Sequence, residues 1–255
     1  GDGSDGDLST SSFGSPLGTM GEVLSALGPS SYTIYQSELE GINANIHVQA
    51  TQQIGVSGSF SNGALTTRPN VDIRLEVTGT GGTGIDTRAM PIRTQGSGRV
   101  DMSTASSGQN ILVGNIQTQG GGIRLAAAQG QVSLGSATLQ SSGGAIDISA
   151  GAPSGYGVVL NGTRLFSSGG AIGVASASSL QVKDGSLASN GGAVTLSAAG
   201  SVDLLGSHSF ADDVDFAAAA VNTSGSLTVG STLRASAGAL IRNTGTVTLN
   251  GGTLA

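Results

Sequence analysis

The chain has no cysteine and no tryptophan among its 255 residues, and only 3% of it is aromatic. A disulfide framework is therefore excluded. Lack of cysteine fits both a secreted chain and a cytosolic one, so it does not decide the compartment. Charge is sparse as well: 10% of residues are charged, and the formal net charge is −6. Lysine occurs once, at Lys183, and the arginines are scattered. Without a basic stripe, nucleic acid and anionic membrane surfaces are set aside as partners. A long uncharged run, from Leu125 to Ile146, is full of Gln, Ser and Gly and is no membrane span. No initiator methionine, basic n-region or apolar h-region opens the sequence, so any export signal is expected to have been removed or to lie upstream.

Glycine is abundant, at 44 residues, but prolines number 5 and no G-X-Y period exists, which excludes collagen. A flexible linker is excluded because aliphatic residues keep a fixed register. One phrase is written four times. It is a glycine pair, a spacer and an alternating apolar triplet: 120–125 (GGGIRL), 143–148 (GGAIDI), 169–174 (GGAIGV) and 191–196 (GGAVTL). The first apolar residues, Ile123, Ile146, Ile172 and Val194, stand 23, 26 and 22 residues apart. A period in the twenties is the signature of a solenoid.

Two further phrases fill each period. One is Val132-Ser-Leu134, repeated at Leu180-Gln-Val182 and Val202-Asp-Leu204. The other is Thr138-Leu139-Gln-Ser-Ser, repeated at Arg164-Leu165-Phe-Ser-Ser and Ser186-Leu187-Ala-Ser-Asn190. All alternate apolar with polar, the period of two of a strand with one buried face. Three short strands per period describe one triangular coil of a parallel β-helix, with glycines at tight corners. Small side chains fill narrow coils, which explains the scarcity of aromatics and charge.

In chain order, Asp2, Asp5 and Asp7 sit among glycines. Oxygen ligands at such spacing suit calcium, but no distal acid completes an EF-hand loop, and a solvated terminus is the simpler reading. Thr19-Met-Gly-Glu22 has capping-box spacing, and a helix of about two turns is expected before Gly28-Pro29. Residues 32–36 read as a strand. Ile46-His-Val48 and Ile54-Gly-Val56 begin the coils, with Val71 and Val100 as the next anchors. Coils of roughly 22–29 residues result, with residues 62–69 and 78–91 expected as projecting loops, where binding usually lives. Residues 1–37 are thus expected to form an N-terminal segment whose short helix packs on a solenoid of residues 38–255. Strand-like phrases persist at 214–216, 226–229, 232–235 and 246–249, and no polar cap follows. The solenoid is expected to continue further or to stack on other copies.

The densest ionisable cluster after the N-terminus is His208 with Asp212, Asp213 and Asp215. Parallel β-helices host polysaccharide hydrolases and lyases, which use paired carboxylates or a calcium cluster with a base. The simpler reading is a polar loop between coils, with Val214 and Phe216 inward. A Gly-His-Gly or Arg-Ile-Lys of the pectin-hydrolase type is lacking. His47, between Ile46 and Val48, points outward as a surface residue. No set of residues has transition-metal spacing. Glycine-rich phosphate loops need a helix to follow, and here strands follow. Thr246-x-Thr248 is like the flat arrays of ice-binding solenoids, but threonine pairs do not repeat in successive coils. The sequons at Asn161 and Asn222 are expected by chance in so polar a chain. No catalytic, cofactor-binding or metal-binding residue is therefore assigned.

The phrases at 143–150 (GGAIDISA) and 191–204 (GGAVTLSAAGSVDL) resemble the repeats of filamentous-haemagglutinin-like exoproteins, the large secreted partner in bacterial two-partner secretion. Residues 21–58 are similar to a segment of that family, although its Asn-Pro-Asn-Gly-type secretion motif is missing. The resemblance implies a right-handed parallel β-helix, secreted or at the cell surface, that serves adhesion or extracellular structure without a catalytic site. Three readings follow. The first is an adhesive or structural module that meets a host or surface glycan or protein receptor. The second is a filament subunit stacking end to end on itself. The third is a polysaccharide-active enzyme built on Asp212, Asp213 and Asp215.

Overall fold

Ile46 lies in register with Ile73, Ile73 with Val100, and so on through Ile123, Ile146, Ile172, Val194, Val214 and Leu233. All nine side chains are buried. The computed structural model describes residues 7–11, 22–23, 32–236, 240–250 and 253–254, with side chains from residue 33 onward. It is an all-β parallel β-solenoid of about nine turns with one short helix. At an inter-strand spacing of about 4.8 Å the stack is roughly 40 Å long. We number the coils one to nine from these anchor residues.

Each coil carries three strands, so three parallel faces run along the rod. The second face stacks Ile54, Ile85, Ile111, Val132, Val158, Leu180, Val202 and Val221. On the third are Leu65, Ile92, Ile116, Leu139, Leu165, Leu187, Phe210 and Val229. All of these point inward and are buried. Full burial of such side chains contributes about 1.5–3 kcal/mol each, which is what drives a chain with so little charge to coil upon itself.

The register corrects one anchor. Val100 pairs with Ile73, two residues beyond Val71. Both residues are buried, and they share the same parity of alternation. The corner decides between them: the Val71 N–H bonds back to the Arg68 carbonyl in a turn, so the strand starts only at Ile73. The coils then measure 27, 27, 23, 23, 26, 22, 20 and 19 residues up to Leu233, with Leu254 a further 21 along. They shorten because the chain stops breaking at corners. Val194–Phe210 and Val214–Val229 each run as one extended strand across all three faces.

Two expected loops are coil strands. Leu65–Pro69 belongs to the third face and Gly84–Thr87 to the second. Their inward positions include Thr67 and Thr87, both buried, and a hydroxyl in an apolar slot hides the alternation.

The short helix is α1, Gln36–Gly41, and not the stretch from Thr19. Within that stretch Glu22–Val23 is extended and pairs in parallel with His47 and Val48, so backbone bonding to the first coil overrides the capping-box signal. Residues 19–21 and 24–27 lie outside the described residues. The Tyr35 N–H donates to the Glu38 carboxylate at 2.8 Å and starts α1. Buried Gln36 then ties α1 to the first coil. Its amide nitrogen donates to the carbonyls of Ser61 and Ala64, both at 3.1 Å, and its oxygen accepts the Ser61 N–H. Ahead of the helix, Asp7–Ser11 runs antiparallel between Tyr32–Tyr35 and Gln53–Ser57, covering the outer edge of the second face.

Candidate functional site

The corner between the third and first faces is where the glycine pairs act. In 143–144 the two glycines serve different ends. Gly143 has φ of 111°, a left-handed conformation that side chains resist. Gly144 is not left-handed, but a Cβ there would strike the backbone of Gly121 one coil below. The same contact recurs for Gly121 on Gly98, Gly170 on Gly144, and Gly192 on Gly170. The corners therefore stack backbone on backbone.

Inside this corner runs a column of hydroxyls. Thr94, Thr118, Ser141 and Ser167 are in register and buried, and Ser189 is buried as well. Each donates to the carbonyl of the corner glycine that follows it: Thr94 to Gly98 at 2.6 Å, Thr118 to Gly121 at 2.5 Å, Ser141 to Gly144 at 2.5 Å, Ser167 to Gly170 at 2.8 Å, and Ser189 to Gly192. Ser-Ser-Gly-Gly is thus a corner formula, with its first serine as the internal donor. In the sequence these serines stand only as part of the alternating phrase that precedes each glycine pair.

Outside the rod, polar side chains bridge coils. His47 faces outward and its Nε2 lies 3.1 Å from Glu76, which also receives Gln49 at 3.1 Å and Arg74 at 3.0 Å. Burial pushes the Glu76 pKa up, but these donors outweigh it and hold the carboxyl below its usual value. Arg124 reaches back to Asp101 at 3.1 Å. Tyr156 was not singled out in the sequence, yet its hydroxyl donates to Asp203 two coils on at 2.7 Å. Asn222 and Ser201 bond the same carboxylate. Only the register could have found this network, because Asn222 and Tyr156 stand 19 and 47 residues from Asp203.

The cluster of 208–215 separates in three dimensions. Asp212 occupies the corner position that glycines hold in earlier coils. Its carboxylate accepts the backbone N–H groups of Ser189 at 2.6 Å, Asn190 at 2.9 Å and Gly191 at 3.2 Å. Asp213 accepts the Thr232 N–H at 2.9 Å and meets Arg234 at 3.3 Å. The Ser231 hydroxyl heads the contacts that lower its pKa to about 2. Asp215 shares Arg234 at 3.5 Å. His208 is buried with Phe210 and does not join them. These carboxylates bind backbone donors and one arginine of the next coil.

Thr246 and Thr248 stand over Ser226 and Thr228, which stand over Ser207 and Ser209. The threonine pair does not recur as threonine, but paired hydroxyls do recur in three successive coils of the third face. A groove of about 420 Å³ crosses the glycine corner, floored by 120–122 and flanked by Arg99, Asp101, Arg124 and Asp147. Asp2 and Asp5, and the side chain of Asp7, lie outside the described residues. Among the described residues no group of three or more His, Asp or Glu converges as a metal site, and no helix is long and apolar enough to cross a membrane. Comparison with family models, curated proteins and solved structures gives no match for this chain.

Proposed function

We propose that this chain is a non-catalytic structural and adhesive module of a secreted or cell-surface fibre protein of the filamentous-haemagglutinin-like kind. The observation that carries this reading is the unbroken apolar ladder on three faces, from coil one to coil eight. Such a stack is a stiff rod that displays lateral surfaces at fixed spacing. The commitment of Asp212, Asp213 and Asp215 to backbone donors and Arg234 favours structure over catalysis. The groove beside Arg99 and Asp147 is of sugar size and offers both a cation and an anion to a receptor glycan.

A second reading, stacking of copies, is favoured by Leu240, Ile241, Val247 and Leu254, which are 50%, 49%, 39% and 64% exposed on the ninth coil. At the other end the rod bears α1 and an antiparallel strand, so stacking would join two ninth-coil faces. Electron microscopy over a concentration series, with glycan-array binding of the same sample, tests both readings. Monomeric rods of about 40 Å that bind a glycan support the adhesive module. Rods of double length support paired ends. Cleavage of an acidic glycan, abolished by Asp213→Asn, would overturn the non-catalytic reading.

A further inference from the structure

His208 is an anomaly in the core. It is 4% exposed and points inward on the third-face part of Val194–Phe210, between two outward serines. In its column, Gly185 lies one coil below, Leu227 one coil above, and Val247 above that. The imidazole stacks on Phe210 with centroids 6.3 Å apart and planes at 15°. Phe210 in turn meets Phe216 edge-on.

Its two nitrogens differ. Nδ1 accepts the Gly185 backbone N–H at 3.3 Å, a bond from coil six to coil seven. Nε2 is buried with no hydrogen-bond partner. Because Nδ1 accepts, the proton of the neutral ring sits on Nε2, a tautomer set by the network. Protonation would place a hydrogen on Nδ1 pointing at the hydrogen of Gly185. The bond joining the coils would become a donor–donor contact, and a charge would enter an apolar stack.

We propose that His208 is an acid-sensitive latch between coils six and seven: neutral, it ties the shortest coils of the rod to the rest; protonated, it releases them. The surroundings do little to rescue the cation. From coil six, Asp184 is the charged neighbour; its carboxylate accepts the Ser207 N–H at 3.0 Å and favours a cationic ring without outweighing burial. Arg164 lies exposed on the outer surface of coil five beside the same corner. Coils eight and nine offer Leu227 and Val247. On its own strand the Leu205 carbonyl, which accepts the Asp184 N–H at 3.0 Å, keeps a second lone pair toward the ring and favours the cation. Burial is the largest influence on the ring and pushes its pKa down; the Leu205 carbonyl and Asp184 oppose that shift without cancelling it.

The sign follows. A histidine whose pKa is lowered by folding stabilises the native state above the unfolded value of about 6.5, and that stability is lost as pH falls toward the folded value. In a solenoid the packing is chiefly between neighbouring coils, so the loss centres on coils seven to nine, which the Tyr156–Asp203 bond also ties to coil five.

Hydrogen exchange of the whole chain, corrected for intrinsic rates and measured from pH 7.5 to 5, tests the latch. Opening of residues 183–186 and 194–230 should rise by up to about tenfold per pH unit below about 6.5, while coils two to five stay protected. His208→Gln should remove that slope; a variant with the wild-type slope would overturn the proposal. Should that variant not fold, ring nitrogen spectra of the unaltered protein decide, since it has only two histidines. An Nε2–H ring that stays neutral below pH 6 is expected. An Nδ1–H tautomer, or ordinary titration near 6.5, overturns the latch.

Discussion

The hydroxyl of Ser141 donates to the Gly144 carbonyl at 2.5 Å and lies 3.2 Å from the Gly121 carbonyl of the coil below. One buried side chain thus serves two corners. Ser167 repeats the arrangement, 2.8 Å from Gly170 and 3.1 Å from Gly144. Backbone carbonyls turned inward at a corner have no water to bond, and the hydroxyl column supplies their donor.

Ser141→Ala removes that donor and leaves buried carbonyls short of a partner, at a cost of about 1–3 kcal/mol. Ser141→Thr should cost far less, because Thr118 fills the same column one coil below with the same bond. Urea titration of both variants checks this. Equal midpoints for alanine and threonine would show that the hydroxyl is not what the column needs.

The glycine pair makes a second prediction. Gly144→Ala forces a Cβ into the Gly121 backbone, which cannot move without shifting a whole corner, so a loss of about 2–3 kcal/mol is expected. Gly143→Ala meets only the Ser168 carbonyl, 3.9 Å away, but must hold a left-handed φ, so its cost is about 1 kcal/mol. Gly135 has neither constraint, and Gly135→Ala should raise stability by about 0.4–1 kcal/mol through the unfolded chain. The order of the three melting temperatures reads out the two distinct uses of glycine.

These cases show how far the sequence could be read. Alternation of aliphatic and polar residues made the strands and the three-sided coil legible, since it is the physical requirement of a half-buried strand. Where an inward slot holds Thr67 or Thr87, that signal vanishes, and two strands look like loops. Val71 and Ile73 share a parity, so alternation cannot choose between them; the turn at Arg68 does. The cluster around Asp212 looked like a site because carboxylates are rare here. In the sequence nothing shows that Asp212 faces the N–H groups of a corner some twenty residues earlier, because that adjacency exists only once coil lengths are known.

Asp212 carries the last prediction. Partial burial pushes its pKa up, but hydrogen bonds from Ser189, Asn190 and Gly191 outweigh burial and hold it below the usual carboxylate value. A carboxyl whose pKa is lowered by folding contributes stability above its unfolded value of about 3.9, and loses it as pH falls through the folded value. Asp212→Ala should therefore weaken the corner under coil seven by about 1–2 kcal/mol at pH 7. As pH drops below about 4, the gap between wild type and variant should close, because the protonated wild-type side chain is a poorer acceptor for three donors. Glu76, Asp86 and Asp213 are also lowered and titrate in the same acid range, but they do so in both proteins and cancel in the difference. Denaturant midpoints of the pair at pH 7, 5 and 3 are sufficient. A gap that stays constant across that range would mean that Asp212 acts at the corner through its size, and that its charge is not what holds the coil.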